Sequence, residues 1–313
     1  MIAVVIRRLL ATIPVMAIVA IIVFSLLYLT PGDPAAVLAG EQATAEDIER
    51  LRISLGLDQP YLVRFGQWIT GVLHGDLGTS IFSRRPVMEL IMQRLEPTVA
   101  LTLASLFIAV TIAVPLGVIA AWRSGGIIDR LAMSFAVLGF SVPVFVLSYL
   151  LIALFSVKMQ ILPVQGYVPI AYGFIPFAQH LILPAVSLGI INAALIARIT
   201  RTTMLEVLNQ DYIRAARAKG LSVRRVLIRH ALKNAAVPIV TVIGISFALL
   251  ISGVVVTETV FNIPGLGRLT VDAILRRDYP VIQGVILVFS ATYVVVNLLV
   301  DLSYGLFDPR IKH

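Results

Sequence analysis

Long apolar runs, each near the length that crosses a bilayer, alternate along this chain with shorter polar stretches. A spanning helix needs roughly 20 mostly apolar residues. Six segments reach or approach that length: residues 9–29, 98–121, 131–157, 181–197, 235–257 and 281–300. None of the six contains Asp, Glu, Lys, Arg or His. Pro14, Pro115, Pro143, Pro184 and Pro238 lie within or near them. Neighbouring helices can satisfy the carbonyls that proline frees, so the pattern still predicts helices. The expected fold is an all-α membrane protein of about six transmembrane helices.

The polar stretches carry their own periodicity. Residues 31–97 predict a helical region outside the membrane. There Thr44 stands as an N-cap before Glu46 and Asp47, with Ile48, Leu51 and Leu55 at helical spacing and Gly56 as the stop. A second amphipathic helix is expected over 61–73, with Phe65, Trp68, Ile69 and Val72 on one side. It reads either as a cap packed on the bundle or as a docking platform. The stretch 198–234 is too long for a simple turn. It predicts a short helix from Tyr212 to Ala218, a break at Gly220, and a second helix capped by Ser222 with Val223, Val226 and Leu227 as its apolar face. The stretch 258–280 is expected to be a re-entrant lid or a plain loop around Pro264-Gly265. The organisation expected is therefore 1–30 as the first span, 31–97 as the outer helical region and 98–313 as a five-helix core containing 198–234.

Composition agrees with burial in lipid. The 313 residues are 59% hydrophobic and 13% charged, where soluble domains carry about 25% charged residues. The net charge of +8 follows the loops. Nine Arg and Lys residues fall in 198–234 against two acids, Glu206 and Asp211. By the positive-inside asymmetry, 1–8, 123–130, 198–234 and 301–313 are expected in the cytoplasm, with both termini there. Topology explains the basic charge better than nucleic-acid binding does. A signal peptide is not expected from Arg7-Arg8 and the first span, whose apolar run exceeds a signal core.

Little in the chain promises chemistry. There is no cysteine, and no two of the four histidines sit at i, i+3 or i+4. A phosphate-cradling Gly-x-x-x-x-Gly-Lys-Ser/Thr loop is absent. Ser141 and Ser187 are expected to pack or to bond backbone, and Asn192 and Asn234 to bond between helices. His230 reads as structural. Ion-coupled carriers often place ionisable groups at mid-membrane, where they are costly and functional. Here only Glu258 and Asp301 come near, at span ends. An ion-coupled secondary transporter therefore stands as the rival class without a positive signal.

The segment Arg214-Ala215-Ala216-Arg217-Ala218-Lys219-Gly220 resembles the EAA loop of bacterial ABC importer permeases, with Arg214 in place of the glutamate. Asp211, Tyr212, Arg214, Ala216, Arg217, Ala218, Lys219, Gly220, His230 and Asn234 match the dipeptide, oligopeptide and nickel branch. Pro31-Gly32-Asp33-Pro34, Gly75-Asp76-Leu77-Gly78, Phe261 to Gly267, Arg277-Asp278-Tyr279-Pro280 and Asp308-Pro309-Arg310-Ile311 resemble the same branch in order along the chain. The likeness is greatest to the B-type permease subunits of dipeptide, oligopeptide and glutathione importers. It implies a type I importer fold, di- or oligopeptide (or glutathione) cargo, and location in the bacterial inner membrane. A nickel permease of the same branch is the alternative.

The partners it implies are a homologous second permease, two cytoplasmic ATPase subunits that use ATP and Mg, an extracytoplasmic substrate-binding protein and membrane lipid. No nucleic acid, no cofactor on this chain, no metal and no catalytic residue are expected. Residues Asp211, Tyr212, Arg214, Ala215, Ala216, Arg217, Ala218, Lys219 and Gly220 would form the ATPase-coupling segment. Glu258, Pro264, Gly265 and Gly267 are candidates for the gate or outer mouth.

Overall fold

The structure is a computed structural model, described for residues 2–29, 34–39, 43–54 and 56–307. The motif residues Pro31, Gly32 and Asp33, and all of Asp308 to Ile311, lie outside the described residues. Among the described residues every regular element is helical, and extended pairing is limited to one isolated bridge, Thr79 with Pro86. In chain order the elements are α1 (Ile2–Leu29), α2 (Pro34–Ala39), α3 (Ala45–Ser54), α4 (Tyr61–Leu73), α5 (Val87–Trp122), α6 (Ile127–Ser141) and α7 (Val144–Leu151), followed by α8 (Phe174–Leu208), α9 (Asp211–Ala218), α10 (Val223–Arg225), α11 (Ala236–Val260), α12 (Leu266–Arg276) and α13 (Tyr279–Phe307). Wider i→i+5 turns extend α7 over Ile152–Lys158 and α10 over Val226–Leu232.

Among the described residues, five helices are long and apolar enough to cross a membrane: Leu10–Leu29 of α1, then α5, α8, α11 and Tyr279–Gly305 of α13. A sixth span exists if α6 and α7 count as one. The sequence predicted a single helix over 131–157, but the chain bends there by 103°. The cause is local. Val142 precedes Pro143, whose ring disfavours the helical region for its predecessor, and Val142 takes ψ 122°. The fourth span, expected as short, is a helix of 35 residues. The stretch 258–280 is not a plain loop, since α12 occupies 11 of its residues.

Two compact units form. The first comprises 1–5, 96–268 and 293–313, and the second 6–95 and 269–292. In the first, α5, α8 and α11 cross through small side chains: Ala109 and Ala113 pack with Ala193, Ala197 and Val242. Gly189 lies so near α5 that a Cβ there would stand 2.9 Å from the Ser105 carbonyl. In lipid, close van der Waals fit of this kind replaces the hydrophobic drive that water supplies.

The second unit contains α1, α3 and α4. The Thr44 cap forms as expected: the Asp47 amide donates to Thr44 Oγ1 at 3.2 Å, and Thr44 Oγ1 donates to Asp47 Oδ2 at 2.6 Å. That hydroxyl holds the Asp47 carboxyl below its usual range. Helix α4 covers the expected residues. Its Tyr61, Phe65 and Trp68 pack on Phe24 of α1, with ring centroids 5.3–5.4 Å apart. Within this unit α4 is thus seated on α1 by its aromatic side. Asp278 explains the Arg277-Asp278-Tyr279-Pro280 motif: buried, it accepts the Ser80 hydroxyl at 2.5 Å and the Ile81 amide at 3.2 Å.

Candidate functional site

Two constellations in the first unit hold the residues singled out by sequence. The first is α9. Eight residues long, it turns one edge inward: Ile213 is fully buried and Ala216 nearly so, against Ala121, Met204, Leu208 and Val226. Asp211, Tyr212, Arg214, Ala215, Arg217, Ala218 and Lys219 face outward. Tyr212, Ala215 and Lys219 thus form an exposed strip with a small residue at its centre. Arg217 lies over the Trp122 ring, 4.9 Å from its centroid, which ties α9 to the end of α5.

Gly220 closes α9 in a Schellman turn. Its amide donates to Arg217 O at 2.9 Å, and the Leu221 amide donates to Ala216 O at 3.3 Å. The glycine has φ +74°, and a Cβ on it would meet nothing within 4 Å. Backbone conformation alone, not crowding, therefore requires glycine there. Ser222 sits at the start of α10 but makes no capping bond with its side chain. Of the predicted apolar face, Val226 is buried and Leu227 packs beside it, while Val223 is 47% exposed.

Asn234 and Asn192 depart from expectation, because each bonds within its own helix rather than across helices. Asn234 Nδ2 donates to the His230 carbonyl at 2.6 Å, and Asn192 Nδ2 to the Leu188 carbonyl at 2.9 Å. Nearby, Arg201 of α8 donates to both oxygens of Asp129, which is 5% exposed; the Arg201 Nη2 bond is 2.7 Å. Sequence reading missed this pair, since its members are 72 residues apart.

The second constellation surrounds Glu258. It lies in the last turn of α11, at the end of that span as expected, and is fully buried. Thr98 Oγ1 donates to its Oε1 at 2.6 Å, and the Arg268 amide donates to its Oε2 at 2.9 Å. The Leu266 amide donates to Thr98 Oγ1 at 2.7 Å. Glu258 and Thr98 together thus satisfy two of the orphan amides at the start of α12, and the anion meets the positive end of that helix. The Glu258 backbone carbonyl also accepts the Ile263 amide at 2.9 Å.

Both glycines of the motif answer to this geometry. A Cβ at Gly265 would lie 2.0 Å from Glu258 Oε1, and one at Gly267 would lie 2.6 Å from Val255 Cα. Sequence reading selected Glu258, Pro264, Gly265 and Gly267 but missed Thr98, which is 160 residues from its partner. In the stretch between α7 and α8, Tyr167 donates to Glu96 Oε1 at 3.0 Å. Burial, then that carboxylate, push the Tyr167 phenol above its usual range. Among the described residues no group of three His, Cys, Asp or Glu gathers to hold a metal.

Comparison with known proteins reads this architecture. The family model "Binding-protein-dependent transport system inner membrane component" matches residues 113–313. This chain belongs to that family. The N-terminal model of the same family of systems matches residues 1–102. A probable peptide ABC transporter permease protein of Sinorhizobium fredii is 55% identical over 99% of both chains. A putative peptide transport system permease protein of Brucella abortus is 46% identical over 100% of both. The glutathione transport system permease protein GsiC of Salmonella paratyphi A is 46% identical over 99% of this chain and 98% of its own. Among solved structures, the inward-facing MetNI methionine ABC transporter matches with TM-score 0.59 at 21% identity, over 71% of this chain and 97% of that one. The fold is that of type I ABC importer permeases, and the family member is a multi-pass inner membrane protein.

Proposed function

We propose that the chain is one of two homologous permease subunits of an ATP-driven importer, and that its cargo is di- or oligopeptides, glutathione included. The observation that carries this reading is the whole-length likeness to peptide and glutathione permeases at 46–55% identity. None of the relatives named above is a nickel permease, and an ion-coupled carrier is not favoured within this family.

In this reading the basic segments 123–130 and 198–234 and both termini face the cytoplasm. Helix α9 with the turn at Gly220 sits in a cleft of a cytoplasmic ATPase that binds ATP and Mg. The strip of Tyr212, Ala215 and Lys219 suits close approach, because its centre is a single methyl group. A soluble binding protein delivers peptide on the opposite side. ATP binding closes the ATPase pair and draws the coupling helices together, and the bundle opens outward. Hydrolysis resets it. The permease chain supplies a path and a lever and performs no bond chemistry.

Glu258, Pro264, Gly265 and Gly267 then form a rigid corner at the outer mouth rather than a cargo ligand. Both carboxylate oxygens are already engaged with Thr98 and Arg268. The reading is tested by purifying the chain with its native partners and measuring binding by the associated soluble protein. Copurification of an ATPase and a peptide-binding protein is expected. A partner complex without an ATPase would refute the reading.

A further inference from the structure

The second unit holds a cavity of about 600 Å³ that the transport reading does not use. That volume falls within the roughly 300–1,000 Å³ of small-molecule sites. Phe24 and Leu27 of α1 and Tyr279 of α13 contribute an apolar side. Arg64 and Trp68 of α4 line another, and Asp76 stands at a third.

Two observations set its depth. First, the cavity borders the last turns of the α1 span and the first turn of the α13 span, so it lies where spans end. Second, α4 exposes apolar side chains on the face opposite the cavity. At 100° per residue, Leu62, Ile69 and Leu73 fall together, and Arg64 and Gly71 fall on the other side. Leu62 and Leu73 are 78% and 79% exposed. Seated on Phe24 of α1 through its own Tyr61, Phe65 and Trp68, and with bare leucines on another face, α4 has the amphipathic form of a short helix that lies along a membrane interface. A helix so placed would set the cavity at headgroup level.

Its chemistry pairs opposite charges over an apolar floor. The Arg64 guanidinium donates to the Tyr28 hydroxyl and lies 5.7 and 5.4 Å from the Phe24 and Tyr28 ring centroids. It is a planar cation held in place, the donor geometry that suits a phosphate. Asp76 accepts the Gly78 amide on Oδ1 at 2.8 Å, which orients its carboxylate. A ligand complementary to both carries a phosphate and an ammonium above an apolar body.

We propose that this cavity binds the headgroup of a zwitterionic phospholipid of the ethanolamine type, with phosphate at Arg64 and ammonium at Asp76. Such a lipid would bridge α4 to the ends of α1 and α13.

The chain has two tryptophans, so Trp122→Phe leaves Trp68 as the sole reporter beside the cavity. The full-length chain in detergent micelles is titrated with short-chain phosphatidylethanolamine, phosphatidylglycerol and a tripeptide. Phosphatidylethanolamine is expected to shift the Trp68 emission saturably. Arg64→Gln should raise the half-saturating concentration by about tenfold or more for both lipids. Asp76→Asn, at an exposed position that keeps the Gly78 bond, should weaken phosphatidylethanolamine and leave phosphatidylglycerol unchanged. The proposal is overturned by no saturable shift, by a half-saturation indifferent to both substitutions, or by saturation with the tripeptide and not with phosphatidylethanolamine.

Discussion

The Glu258 carboxylate occupies the space in which a side chain at Gly265 would stand: a Cβ there would lie 2.0 Å from Oε1. The glycine and the acid are one device. The acid crosses from α11 to the first amides of α12, and the chain can pass over it only without a side chain. A polar group this deeply buried needs its partners, and Thr98 and the Arg268 amide supply them.

Removing either half should therefore loosen the same corner. Glu258→Ala leaves the Arg268 amide and the Thr98 hydroxyl without their acceptor, at about 1–3 kcal/mol for each unsatisfied group. Gly265→Ala overpacks the site by about 1–3 kcal/mol. Thr98→Val leaves the Leu266 amide without this acceptor and Glu258 Oε1 without this donor, and its cost should be non-additive with that of Glu258→Ala because the two share one network. Unfolding of each variant by titrated denaturing detergent measures this. Additive costs would separate Thr98 from Glu258.

Gly220 separates backbone from bulk. Because a Cβ there meets nothing within 4 Å, the penalty is that of the left-handed conformation alone. Gly220→Asn should keep most uptake, Gly220→Ala lose some, and Gly220→Val lose most, since a β-branched residue tolerates φ +74° least. All three should insert normally. Uptake assays on equally expressed variants check the order, and retained uptake in Gly220→Val would contradict it.

Asp129 and Arg201 should be unequal in their loss. Asp129 is buried, while the Arg201 side chain is 23% exposed. Arg201→Gln leaves a buried carboxylate short of its cation, so it should cost more than Asp129→Asn, by about 1 kcal/mol or more. Arg201→Lys should recover only part, because an ammonium lacks the two-pronged fork. Detergent unfolding of the three variants gives the ranking.

Asp47 makes the start of α3 sensitive to acid. Its folded carboxyl titrates below the unfolded value of 3.8 because the Thr44 hydroxyl donates to it. The stabilisation is therefore complete above the unfolded value and is lost as pH falls through the folded one. Amide exchange at Asp47 and Ile48 should accelerate at acid pH relative to base-corrected reference rates. Thr44→Ala should remove that dependence.

Much of this was legible because it is local. Apolar run length gave the spans, and Thr44 and Gly56 gave the ends of α3. Tyr61–Leu73 was read with its observed ends because the aromatic side recurs at helical spacing. The 103° bend was written in Val142-Pro143, but an unbroken apolar run masked it. Leu266, Leu269 and Ala273, all buried, carry a helical period that the glycines around Pro264 obscured. What stayed illegible is the long-range pairing. Nothing in the spacing marks Thr98 as the partner of Glu258, Ser80 of Asp278, or Trp122 of Arg217. Such pairs arise only when distant helices are brought together.

The central claim is that α9 transmits an ATPase cycle to a peptide path. Ala215→Trp tests it most directly, because Ala215 is exposed and its enlargement leaves the buried Ile213 and Ala216 edge alone. The transporter purified with its native partners is reconstituted in vesicles, and labelled peptide uptake is measured with ATP on the side of the ATPase. The wild type should accumulate peptide only with ATP, and Ala215→Trp should lower uptake by about tenfold or more at unchanged stability, the loss of roughly one well-packed contact in the cleft. Full uptake by Ala215→Trp, or uptake by the wild type without ATP, would contradict the account.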